Sequence, residues 1–121
     1  MRAVVQAGDF EIIVDEPATA GGTNTGPQPT DLLLAAIASC FTLALAHAAD
    51  KRALALPGIR VRVVGTYERL QFSRVDVLVE SDGPPDVLET HIPDAERVCY
   101  VTNTLRQGPE ISVSLGWQPP P

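Results

Sequence analysis

Positive charge is scarce in this sequence. Its 121 residues carry 9 Lys and Arg against 15 Asp and Glu, a formal net charge of −6. A basic face able to grip nucleic acid or an anionic membrane surface is therefore not expected. No basic stretch precedes an apolar core at the N-terminus, so no secretory signal is read there, and the expected compartment is the cytoplasm, where thiols stay reduced. Cysteine is also sparse. In a reducing compartment the two thiols, Cys40 and Cys99, read as catalytic, redox-active, metal-binding or inert rather than as a permanent bridge.

Charge vanishes altogether from Leu32 to Ala49, a run of 18 residues. That is the lower edge of a membrane span, but seven of the residues are Ala, and Ser39, Cys40, Thr42 and His47 dilute the rest. The strand patterns that follow are those of a soluble domain, and the run is read as a helix buried on nearly all sides. Its ends are well marked. Pro29 suits a first helical position, Asp31 the positive end of the helix dipole, and Lys51 and Arg52 the negative end.

Before the helix, Phe10, Ile12 and Val14 alternate with Glu11, Ile13 and Asp15, and "RAVVQ" is the expected hairpin partner, turning at Ala7-Gly8-Asp9. Residues 15–30, with three Gly and three Pro, form a loop that lacks the Lys of a phosphate-binding loop. After the helix, Ile59, Val61 and Val63 form one strand face and Val75, Val77 and Val79 another, expected to pair across "TYERLQF". Residues 86–106 read as helical with an interruption at Pro93, and Ile111, Val113, Leu115 and Trp117 mark a last strand. The result is one α+β domain over residues 1–121, ordered ββ–α–ββ–α–β, with antiparallel sheet. One small sheet cannot cover so apolar a helix, so a second copy of the chain is expected on its other side, in an intimate homodimer.

Three readings of the cysteines stand side by side. Both can be small buried hydrophobes, the usual state of a free Cys. A zinc site would need His47 and His91 as well, but the spacings lack the close ligand pairs of structural sites. A redox pair would use one thiol to reduce a peroxide and the second to capture the sulfenic acid as a disulfide before it oxidises further. A dry helix would raise the thiol pKa, so a donor from outside the helix would be required.

The segment "VDEPATAGGTNTGPQPTDLLLAAIASCF", residues 14–41, resembles the stretch around the first cysteine of the OsmC/Ohr family, the osmotically induced and organic-hydroperoxide-resistance proteins. "ERVCYVTNTL", residues 96–105, resembles the segment carrying that family's second cysteine, and the resemblance covers essentially the whole chain. It implies an intertwined homodimer with the long helices packed in the middle. Cys40 would be the peroxidatic nucleophile and Cys99 the resolving thiol. The substrates would be organic hydroperoxides, reduced to alcohols, and the reductant a dithiol, lipoyl-type in some members; no metal or organic cofactor would be bound.

The chain departs from the family's peroxidases at three places. Their N-terminal hairpin supplies an Arg to the thiolate, where this chain has "QAGDF"; Arg2 does not match the motif. Their Glu ten residues before the first cysteine is here Thr30, and Asp31 points about 180° away from Cys40 on an ideal helix, which makes it a helix-start residue. The Pro common after the second cysteine is Tyr100. Any replacement donor is expected among Arg69, Arg97 and Arg106. The missing Arg and Glu also fit an alternative, a non-catalytic dimer binding a small hydrophobic ligand at its interface.

Overall fold

A computed structural model of the chain describes residues 1–116 and 121. Strands β1 (Arg2–Ala7) and β2 (Phe10–Asp15) form an antiparallel hairpin with Arg2 opposite Asp15 and Ala7 opposite Phe10. Gly8 adopts φ 62° in the turn, where an L side chain would be strained. A single 3₁₀ turn, Ala18–Ala20, interrupts the loop, and helix α1 (Pro29–Arg52) follows. Strands β3 (Arg60–Glu68) and β4 (Gln71–Glu80) make a second hairpin, followed by helices α2 (Pro85–Val98) and α3 (Tyr100–Gln107).

Helix α1 is 24 residues long, begins at Pro29 and ends at Arg52, with Asp31 in its first turn and Lys51 and Arg52 in its last. Its buried face, Ile37, Phe41, Ala44, Leu45, Ala48 and Ala49, packs on α2, β3 and α3. The core joins Phe41, Leu45 and Ala49 to Leu56, Ala95 and Cys99, with Val61, Val77 and Val79 pressed against it from the sheet. The opposite ridge, Ala35, Ser39, Leu43 and His47, faces solvent, and Leu43 is 71% exposed. Within one chain the helix is thus covered on one side, because a two-stranded ribbon and two short helices shield only one side of it.

The expectations need three further corrections. The connection between β3 and β4 is only Arg69-Leu70, since most of "TYERLQF" is strand; a register shift at Thr66/Tyr67 absorbs the odd residue. Gly65 leaves room for the Phe72 ring, which stacks tilted on Tyr67 with centroids 4.7 Å apart. The second helical region breaks at Cys99 and runs unbroken through Pro93, whose missing N–H frees a carbonyl on exposed Glu89, where water can satisfy it. The last expected strand is not formed over residues 111–116, and Trp117 lies outside the described residues. Ile111, Val113 and Leu115 keep the strand alternation but stand 85%, 95% and 98% exposed, for want of a neighbouring edge to pair with. The two hairpins are separate two-stranded sheets.

Leu45 is fully buried at the centre of the core. Leu45→Ala is expected to lower unfolding stability by about 2–5 kcal/mol, with a lower denaturation midpoint and an unchanged denaturant slope in urea titrations.

Candidate functional site

The loop leading into α1 is organised by one buried carboxylate. Asp15, at the end of β2, accepts hydrogen bonds from the Thr23 hydroxyl (2.5 Å), the Thr25 hydroxyl (2.7 Å), the Thr25 N–H (3.1 Å) and the Glu16 N–H (2.8 Å). The Asp15 N–H in turn donates to the Pro27 carbonyl at 3.1 Å. Gly22 passes so close to the Glu16 carbonyl and the Asp15 carboxylate that a Cβ would collide with both. The hydroxyls of Thr23 and Thr25 hold the Asp15 carboxyl far below the usual carboxylate range. This cage fixes where the chain enters α1, where the Gln28 side-chain amide donates to Asp31 at 3.1 Å.

Three turns along α1 stands Cys40, half-buried. Helical rotation puts it between the covered face and the open ridge. Cys99 is fully buried at the break between α2 and α3, in an extended conformation (φ −76°, ψ 100°) immediately before the first turn of α3. The break is held by the Asn103 N–H, donating to the Cys99 carbonyl at 3.0 Å, and by the Asn103 side-chain amide, donating to the Arg97 carbonyl at 3.1 Å. Cys40 packs against the core cluster that contains Cys99. Two free thiols 59 residues apart in sequence thus belong to one packing layer, Cys99 inside the core cluster and Cys40 against it. Burial pushes the Cys99 thiol up, but the Thr102 hydroxyl and N–H, the Cys40 thiol and the Val101 N–H outweigh it and hold Cys99 below the ordinary thiol range. The Thr102 hydroxyl also sits 3.3 Å from the Cys99 carbonyl.

The other sequence candidates are placed apart from the thiols. Among the described residues no hydrogen bond joins an arginine to either cysteine. Arg97 is engaged with Asp94 at 3.2 Å, which also accepts from Arg52 at 2.5 Å. Arg106 lines a cavity of about 430 Å³ with Ile37, Thr102 and Leu105, one turn from each cysteine. Arg69 lines a more apolar cavity of about 680 Å³ with Thr30, Leu33, Tyr67, Leu70 and Leu105. The two cavities share Phe72, Val75 and Leu105 in their linings. Thr30 accepts a 2.7 Å hydrogen bond from the Tyr67 hydroxyl, so the position occupied by Glu in the peroxidases here ties α1 to β3. His47 lies on the open ridge of α1, while buried His91 makes a 3.1 Å hydrogen bond through Nε2 with the Leu54 carbonyl. Among the described residues no three His, Cys, Asp or Glu side chains gather as a metal site would require. Thr102 and Asp15 were not singled out from sequence; the Asp15-Thr23-Thr25 spacing within a Gly-rich loop was the available hint for the second.

The sequence model of the OsmC-like protein family matches residues 22–114, a span that takes in both cysteines. The chain belongs to the OsmC-like family. No curated protein sequence matches it. Among solved structures it is similar to an organic hydroperoxide resistance protein OsmC of Legionella pneumophila (19% identity, TM-score 0.64, 88% of each chain covered). It is also similar to an OsmC-like protein of Mycoplasma pneumoniae (19% identity, TM-score 0.69, 88% of this chain and 79% of that one). The organic hydroperoxide resistance protein OhrB of Bacillus subtilis matches with 21% identity and a TM-score of 0.57 over 86% of this chain and 88% of its own. At these identities the likeness establishes the fold, a mixed α+β OsmC architecture.

The Asp15 cage has a pH signature. Its folded-state pKa is depressed below the unfolded 3.8, so the stabilisation is complete above that value and is lost as pH falls below it. Thermal melts of the wild type are expected to drop steeply below about pH 4, whereas Asp15→Asn is expected to be less stable at neutral pH and to lose that acid dependence.

Proposed function

We propose that this OsmC-like chain is a thiol peroxidase that reduces organic hydroperoxides. The observation that carries the reading is the placement of half-buried Cys40 against the core cluster that contains buried Cys99. In this reading the Cys40 thiolate attacks the outer peroxide oxygen. The O–O bond breaks, the alkoxide leaves and is protonated to the alcohol, and Cys40 becomes a sulfenic acid. The Cys99 thiolate then attacks the Cys40 sulfur, forming the disulfide and releasing hydroxide, which becomes water. A dithiol, of lipoyl type in the family resemblance, restores both thiols. The more apolar cavity beside Leu33, Leu70 and Phe72 suits the organic part of such a substrate. A pair of free thiols of this kind suits the reducing cytoplasm.

The homodimer belongs to the same proposal. The open ridge of α1 and the fully exposed Ile111, Val113 and Leu115 present apolar surface that a second copy would cover. Sedimentation at micromolar concentration is expected to give about twice the 12.9 kDa of one chain, and Leu43→Glu is expected to return a monomer.

Mixing the reduced protein with cumene hydroperoxide, quenching and weighing it tests the chemistry. Loss of two hydrogens within seconds is expected, and Cys40→Ser is expected to slow peroxide consumption by about a hundredfold or more. Two thiols still alkylatable after prolonged exposure would instead favour the binding-module reading, for which the 680 Å³ apolar cavity speaks, as does the lack, among the described residues, of an arginine hydrogen-bonded to either sulfur.

A further inference from the structure

We infer that the tip of the β3–β4 hairpin carries an aryl-binding site, in which the ring of Tyr67, held by Thr30, receives an uncharged aromatic group. The inference rests on the proposed function's reading of the cavity of about 680 Å³ as the seat of the substrate's organic part, and it names that part.

A chain of contacts builds one wall of this cavity. A Cβ on Gly65 would collide with the Phe72 ring, so the missing side chain gives that ring its place against β3. Phe72 carries the Tyr67 ring, with centroids 4.7 Å apart and planes tilted by 34°. The Tyr67 hydroxyl then donates to Thr30 Oγ1 at 2.7 Å, which joins β3 to the first turn of α1. Thr30, Tyr67 and Phe72 all line the cavity. Tyr67 is 59% exposed. A ring so open ordinarily samples several rotamers. Here it is stacked on a neighbour and tethered at its hydroxyl, so its free surface is offered in one position and binding has little order left to impose. Thr30 is a positioning residue, acting through Tyr67.

Around that wall the lining is apolar and open. Leu33, Val75 and Leu105 line the same cavity and are exposed, and Leu70 at the hairpin tip is fully so. Exposed apolar side chains gathered around one concavity mark a binding surface, and the volume is that of a small-molecule site. The second copy proposed above sits on the other side of the helix. Thr30 stands seven residues before buried Ile37, about 20° round α1 from it, whereas the open ridge is that of Leu43. Two stacked rings favour an aromatic guest over a saturated one of the same shape, because ring faces are negative and ring edges positive. Arg69 borders the cavity as well, and a guanidinium is drawn to the face of a ring.

The test uses two alcohols without an O–O bond, 2-phenyl-2-propanol and its saturated analogue 2-cyclohexyl-2-propanol. Failure of the thiol chemistry therefore leaves this test standing, and failure here leaves the cysteine reading standing. Each alcohol is titrated into the reduced full-length protein and followed by amide shifts in two-dimensional NMR. The aryl alcohol is expected to bind about threefold to tenfold more tightly than its analogue, with the largest shifts between Tyr67 and Val75 and at Leu105. Tyr67→Leu, which keeps apolar bulk and removes the ring, is expected to bring that ratio below about twofold. Thr30→Val is expected to weaken the aryl alcohol by about twofold to threefold, and Thr30→Ser to restore it. Tyr67→Phe is expected to match Thr30→Val, with no further loss when the two are combined, since both remove the same bond. Equal affinity for the two alcohols, a ratio untouched by Tyr67→Leu, or no binding of either, as a second copy seated on Tyr67 and Leu70 would produce, would overturn the inference. Additive losses from Thr30→Val and Tyr67→Phe would overturn the role of Thr30.

Discussion

Everything in this molecule depends on one apolar contact, the docking of α1 against the break between α2 and α3. The charge-free face of α1 offers Phe41, Ala44 and Leu45, and Ala95 and Cys99 fill the space opposite. Ala44, Ala95 and Cys99 are small and leave room for Phe41 and Leu45, and Cys40 lies against the same cluster. Leu or Phe at Ala44 or Ala95 would hold the segments apart and separate the thiols. Fold and chemistry are set by the same packing layer.

Around that layer the chain uses polar groups to fix the positions of its joints. Asp15 gathers the Thr-rich loop before α1, His91 ties the segment after α1 to α2 through the Leu54 carbonyl, and Asn103 ties α3 to the last turn of α2. Each of these lies where regular structure stops and backbone groups lose their neighbours. The thiol break is thus braced from both sides by hydrogen bonds that contain no sulfur, which leaves the sulfurs themselves free to exchange partners.

Much of this was legible in the sequence, for identifiable reasons. The limits of α1 followed from Pro29, Asp31, Lys51 and Arg52, because a helix dipole and a proline both act locally. The hairpins followed from strict alternation around Val61 and Val77. Spacing alone left a Cys40–Cys99 redox pair as one of three readings, because spacing does not bring two helical segments together, and family resemblance is what favoured it. Pro93 misled because a proline reads as a break, whereas exposure of Glu89 lets the helix carry it. The last strand misled because alternation at Ile111, Val113 and Leu115 reports what a segment is suited to pair with, while pairing itself needs an edge within reach. The neighbourhood of Thr102 and Cys99 depends on a backbone break that no periodicity announces.

The N-terminal hairpin has a consequence for the order of assembly. β1 and β2 exchange their substantial contacts with each other rather than with the helices, and their turn needs only the short Gly8-Asp9 link. Such a ribbon closes on the order of microseconds, long before Cys99 can find the flank of α1 beside Cys40, 59 positions earlier in the chain. The nascent polypeptide would therefore carry a finished but unanchored ribbon while its core is still searching, and the late step of maturation is the arrival of the α2–α3 corner.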